Sequence, residues 1–237
     1  DMGVQNAQAL ERSANEVQES LIWLDLYNGM VDGALGSRSH AAIKKFQSLY
    51  GHPVTGHLSN DAYSDLVERA ARVRSQYGWT TFEHPELGYQ IGYPAAELQH
   101  AEPLPNGGRK FSSVLDNMML EVEIMKGGND SLDHIHEGLS KNSGGRLISY
   151  ARRRENWSVV TGQFEGASFY TRIEAHGDHL IGYTFRWPKR RNHELERVSI
   201  AIASSFHVRG PFSLLSLNEL GTPSERIKGK ELEPEPE

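Results

Sequence analysis

Cysteine is absent from all 237 residues, so disulfide staples, thiolate metal sites and every cysteine-nucleophile mechanism are excluded together. That absence does not fix a compartment, since the cytosol and a bacterial periplasm both hold cysteine-free proteins. No apolar run approaches the roughly 18 residues that span a bilayer, and no membrane span is expected. An excess of basic charge is also missing: 25 Lys+Arg face 31 Asp+Glu, a formal net charge of −6. No nucleic-acid partner is expected from that balance. What remains is ordinary for a folded chain, 38% apolar and 24% charged, long enough for two modest domains or one larger one. The first residue is Asp1 rather than an initiator Met, which signal-peptide removal would explain and so would trimming.

Catalytic signatures are scarce in the same way. Ser-x-x-Lys, Lys-Thr-Gly, Gly-x-Ser-x-Gly and His-Glu-x-x-His do not occur, so the serine and zinc peptidase patterns fail on residue type. No Gly-Lys-Ser/Thr closes a glycine loop, and no carboxylate ladder with a terminal Glu forms a calcium loop. No cofactor is expected.

Apolar periodicity is clear near the N-terminus. Ala14, Val17, Leu21 and Leu24 recur at intervals of three and four, which predicts a helix over 7–27. A second helix is expected over 38–50, with Ala42, Ile43, Phe46 and Leu49 inward. A third starts near Asn60, with Ser59 as N-cap, Leu58 and Tyr63 at the staple positions, and Ala62, Leu66, Val67 and Ala70 inward. Between the first two lies "NGMVDGALGS", a turn in which Gly33 and Gly36 allow a sharp bend and Asp32 can accept backbone N–H bonds.

The segment 18–66 resembles the bacterial peptidoglycan-binding domain found beside many wall enzymes. The resemblance rests on Gln18, Leu21, Leu24, Tyr27 and Gly29 in its opening, and on Asp32, Gly33 and Gly36 in its Asp-Gly-x-x-Gly corner. It continues through Ser39, Ala42, Ile43, Phe46 and Gln47 in its second helix, and Gly51, Pro53, Thr55 and Gly56 in the next joint. Asp25 stands where the family ends its first helix with Gly, and Asp tolerates the left-handed conformation better than most side chains. Leu26 replaces a Tyr, Ser39 a Thr and His52 a Leu. The resemblance implies peptidoglycan as partner and, with a signal peptide removed, a periplasmic or secreted location. Tyr27, Arg38, Ser39, Gln47 and Tyr50 are the candidate contacts, offering aromatic faces and directed polar groups around the corner. Asp32 is also a candidate, with a purely structural role in the turn as the alternative. Gly29, Gly33, Gly36 and Gly56 are assigned to turns.

After Gln76 the period changes to two. "GYQIGYP", "MMLEVEIM", "RLISYAR", "WSVVTGQF", "SFYTRIEA" and "HLIGYTFRW" predict at least six antiparallel strands, with Met118, Leu120, Val122 and Ile124 sharing one face. "SLDHIHEGLSK" and "HELERVSIAIASSF" predict helices, the first presenting Leu132, Ile135 and Leu139. His134, His136, His176 and His179 are the metal candidates. On a helix, however, His134 and His136 point about 200° apart, and "HGDH" reads as a hairpin tip. The order of strands and helices resembles the PsbP/Mog1-type α-β-α sandwich, whose members are typically adaptors.

The expected fold class is therefore α+β. A three-helix peptidoglycan-binding-like module (1–76) precedes an antiparallel-sheet domain flanked by helices (77–209) and a disordered tail (210–237). The function that follows is wall binding without turnover, with the sheet domain presenting a surface to an envelope protein or wall enzyme. A zinc-dependent peptidoglycan hydrolase or amidase, or an interaction module that has lost wall binding, are the alternatives.

Overall fold

Helix α1 (residues 14–23) shows how sequence sets a boundary in this chain. In the computed structural model, which describes residues 14–209, the helix stops at 23 rather than running to 27. Asp25 takes φ 60° in the left-handed region; its N–H donates to Ile22 O at 2.9 Å, and the Leu26 N–H reaches Leu21 O at 2.9 Å. These two bonds close a Schellman turn with Asp in the position that favours glycine. Leu26 then folds back onto the helical core.

The second and third helices follow the expected pattern. Helix α2 (Ser37–Tyr50) ends on Gly51 at φ 77°. Helix α3 (Asn60–Gln76) is capped by the Ser59 side chain, which accepts from the Ala62 N–H. Val17, Leu21, Ala42, Ile43, Phe46, Ala62 and Leu66 form a common core, with Leu58 and Tyr63 packed at its edge. Leu49, expected inward, is exposed at 65%, because α2 turns that position away from its partners.

Among the described residues ten strands follow these helices: β1 (Trp79–Glu83), β2 (Tyr89–Pro94), β3 (His100–Pro103), β4 (Arg109–Ser112), β5 (Met119–Lys126), β6 (Leu147–Arg154), β7 (Trp157–Phe164), β8 (Ala167–His176), β9 (His179–Pro188) and β10 (His207–Val208). Helix α4 (Asn129–Leu139) separates β5 from β6, and α5 (Asn192–Ser205) follows β9. A seven-stranded sheet has the order β3-β4-β5-β9-β8-β7-β6, all of it antiparallel, and a smaller one has the order β1-β2-β10. The expected alternation on β5 holds, with Leu120, Val122 and Ile124 buried together and Met118 just ahead of them. The chain is α+β, helices first and antiparallel strands after.

Among the described residues, one compact unit comprises 14–82, 90–97 and 190–207, and a second comprises 83–89, 98–189 and 208–209. This division differs from the expected boundary after residue 76, since α5 and the second strand's segment lie with the helices. Inside that first unit, Trp23 at the end of α1 sits edge-on to Trp79 at 5.0 Å and beside Tyr77 at 5.6 Å. Its carbonyl accepts from Arg197 of α5 at 3.1 Å. Arg191 joins the 90–97 segment to α5 by bonding both Glu97 and Glu194 at 2.7 Å. The expected disordered tail lies outside the described residues. No described helix is long and apolar enough to cross a membrane.

Candidate functional site

Two buried glutamines shape the helical module. Gln18, on α1, is fully buried, and its carboxamide makes four bonds to one loop. Nε2 donates to Asp32 Oδ1 at 2.7 Å and to Ala34 O at 3.1 Å, while Oε1 accepts the N–H groups of Asp32 and Gly33, each at 3.0 Å. Gln47, on α2, repeats the device on the next loop. Nε2 donates to His57 O at 2.7 Å and Thr55 Oγ1 at 3.3 Å, and Oε1 accepts from the Thr55 and Gly56 N–H groups at 3.0 and 2.9 Å. Gly33 (φ 73°) and Gly56 (φ 82°) adopt the left-handed conformation that each of these loops needs.

The candidate residues fare unevenly in this frame. A contact must be exposed, but Gln47 and Ser39 are both 1% exposed, so neither offers a free group to a ligand. Gln47 in particular spends its whole hydrogen-bonding capacity on the loop. Asp32 is exposed yet committed. Its carboxyl is held below the usual range by the Gln18 amide first and the Ala34 N–H second. Tyr27 is half-buried against the core, and its ring fills the space that a side chain at Gly29 would need. Gly36 has ordinary φ −81° and open space around it, so no glycine is required there. Arg38 is exposed and bonds Asn28 Oδ1 at 2.9 Å. Tyr50 stacks under the Arg69 guanidinium at 4.1 Å. Arg38 and Tyr50 stand at opposite ends of α2, about 18 Å apart along its axis. The six candidates do not converge on one place.

A different set does converge. A cleft of about 450 Å³ opens in the module, floored by Val17, Leu35, Ile43 and Leu58 and rimmed by His40, His57, Asn60 and Tyr63. His40 Nδ1 lies 2.9 Å from Gly56 O, so this nitrogen carries the proton and donates, leaving Nε2 for another partner. The His40 and His57 rings meet edge to face at 5.1 Å. The Tyr63 hydroxyl donates to the Glu16 carboxylate, which orients its ring on the rim. An apolar floor under a few directed polar groups is what a sugar ring or short peptide requires. Sequence reading missed these residues because histidines and a staple tyrosine carry no pattern of their own.

The metal candidates are separated or engaged elsewhere. His134 and His136 lie on α4, and His136 Nδ1 is 2.7 Å from Ser158 Oγ. His176 is 3.2 Å from Glu174, and His179 is 2.7 Å from Asp178 at the β8–β9 turn. Among the described residues no three His, Asp or Glu side chains are placed to hold a metal ion.

Residues 13–63 match the family described as "Putative peptidoglycan binding domain". A curated relative, "Putative OxPP cycle protein OpcA" of Nostoc punctiforme, is 35% identical over 79 residues, which cover 33% of this chain and 17% of that protein. The chain thus spans less than a fifth of that relative's length. Among solved structures, cyanobacterial PsbP (CyanoP) from Synechocystis is similar at TM-score 0.41 and 16% identity, over 55% of this chain and 92% of that one. A crystal structure from Bacteroides thetaiotaomicron is similar at TM-score 0.36 and 14% identity, over 55% of this chain and 48% of that one.

Proposed function

We propose that this chain is a non-enzymatic peptidoglycan-binding protein of the bacterial envelope, periplasmic or secreted. The helical module docks on wall glycopeptide, and the seven-stranded sheet domain presents a second surface to an envelope protein. The observation that carries the reading is a coincidence of place. All the residues of the 450 Å³ cleft, from Val17 to Tyr63, fall inside the 13–63 match to the peptidoglycan-binding family. In this reading the apolar floor takes the face of a sugar or a stem side chain. Asn60, His57 and the free Nε2 of His40 address hydroxyl and amide groups, and Arg38 and Tyr50 remain as outlying contacts.

The test is sedimentation of the full chain with purified sacculi, scored for both binding and released muropeptides. We expect binding without release, weakened about tenfold or more by His57→Ala combined with Asn60→Ala, a change worth one to two directed hydrogen bonds. Both side chains are exposed, so the fold should tolerate the double variant. Wall binding unaffected by it would remove the cleft from the reading. Absence of binding by the parent chain would leave a protein-interaction module, and released muropeptides would establish a hydrolase.

A further inference from the structure

The seven-stranded sheet carries a second cleft, on the face where β5 presents Met119, Glu123 and Met125. It holds about 360 Å³, within the size range of small-ligand sites. Its origin is a mismatch of lengths. The ten-residue strands β8 and β9 run about 33 Å, whereas the eleven residues of α4 extend only about 16 Å. Leu132, Ile135 and Leu139 of α4 cover Ile173, Leu180, Met125 and Ala175 at one end. The rest of the cleft passes the paired hydroxyls of Thr171 and Thr184, 2.9 Å apart. It ends on the row in which Met119 pairs with Arg186 and Arg186 with Phe169.

That far end is cationic. Arg186 lies over the Phe164 ring at 5.8 Å, and Arg146, from the connection after α4, lies over Phe169 at the same distance. Arg146 makes no ion pair among the described residues. Among those residues Arg186 reaches only Glu165, at 3.6 Å, which is too long for a hydrogen bond, and its Nε is buried with no partner among them. Two guanidinium charges less one carboxylate leave one positive charge uncompensated beside an apolar channel. Glu123 lies on β5 four residues, about 13 Å, from the Met119 row; it sits toward the α4 end and excludes an anionic head there.

We infer that this cleft binds an amphipathic monoanion, an unbranched acyl chain ended by a carboxylate. The chain lies along Phe169, Val160 and Ile173 toward α4, and the carboxylate meets Arg186 and Arg146. Apolar burial gives affinity without direction, and the two guanidiniums fix the polarity of entry. The Nε–H of Arg186 gains the acceptor it lacks.

Calorimetric and NMR titration of the full chain with decanoate, decanol and decyltrimethylammonium tests this. We expect saturable one-to-one binding of decanoate, with shifts confined to cleft residues and about fourfold weaker binding for each methylene removed. Decyltrimethylammonium should bind far more weakly. Arg146→Met, in a connection outside the sheet, should weaken decanoate alone, and adding Arg186→Met should bring the loss to roughly tenfold to a hundredfold. Equal affinity for the cationic amphiphile, an unaltered affinity in the folded double variant, or no saturable binding would each overturn the assignment. Cross-peaks between Phe212–Leu217 and Phe169 in the ligand-free chain would overturn it too, giving the cleft to the chain's own C-terminal segment.

Discussion

The Gln18 carboxamide and the Asp32 carboxylate, 14 residues apart in sequence, meet at 2.7 Å while the same carboxamide accepts from the Asp32 N–H. One buried side chain thereby ties both the side chain and the backbone of the loop to α1. Gln18→Ala removes all four of its bonds and leaves the Asp32 and Gly33 N–H groups without their acceptor. We expect a loss of about 2–4 kcal/mol, read from urea unfolding. A loss within the few tenths typical of surface substitutions would show that the loop closes without the clamp.

Asp32 makes this loop acid-sensitive. Its folded carboxyl is held below the ordinary value by Gln18 and then Ala34, so the charged form is preferred in the native state. A depressed folded value contributes stability above the unfolded Asp value of about 3.9. That contribution is lost as pH falls through the folded value. The pH titration of stability should therefore steepen below about pH 4, and Asp32→Asn should flatten that segment without altering the slope near neutrality. Identical acid limbs in the two proteins would assign the acid loss to other groups.

Asp25 carries a backbone cost that the turn does not need. At φ 60° it occupies the left-handed region, with its side chain exposed. Asp25→Gly relieves a strain of about 1 kcal/mol, offset in part by the greater freedom of glycine in the unfolded chain. The expected result is a gain of a few tenths to about 1 kcal/mol, whereas Asp25→Val should lose stability. A destabilised Asp25→Gly protein would mean that the Asp side chain has a role beyond tolerance of the turn.

These residues also mark what could be read from sequence. Local signals carried well: the Ser59 cap, the period-two face of β5 and the β8–β9 turn at Gly177 all depend on near neighbours in the chain, whereas the left-handed Asp25 is marked by the family resemblance and not by the apolar period. The burial of Ser39 and Gln47 carried poorly, because polar side chains suggest surface positions. The missed signal was position. Gln18 lies four residues after Ala14 and three before Leu21, and Gln47 lies four after Ile43, so both stand on the apolar stripe. A glutamine there must find its partners in a loop. The grouping of α5 with the helical module had no local sign at all, since Trp23 and Arg197 are brought together across 174 residues.

Trp23 gives that grouping a measurable consequence. It is 4% exposed, covered by Tyr77 and Trp79, and its carbonyl is bonded to Arg197 of α5. All three partners lie beyond residue 76, so a fragment of residues 1–76 loses them while keeping the core around Phe46 and Leu66. Exposing a buried tryptophan costs about 3 kcal/mol. The fragment should unfold at clearly lower urea concentration than the same residues within the full chain, and its Trp23 emission should move to the red. In the full chain, Trp23→Ala should cost about 3–5 kcal/mol and speed amide exchange in α5 as well as α1. Exchange that quickens in α1 alone would show that the two helices are stabilised independently, and that residues 1–76 form a self-sufficient module.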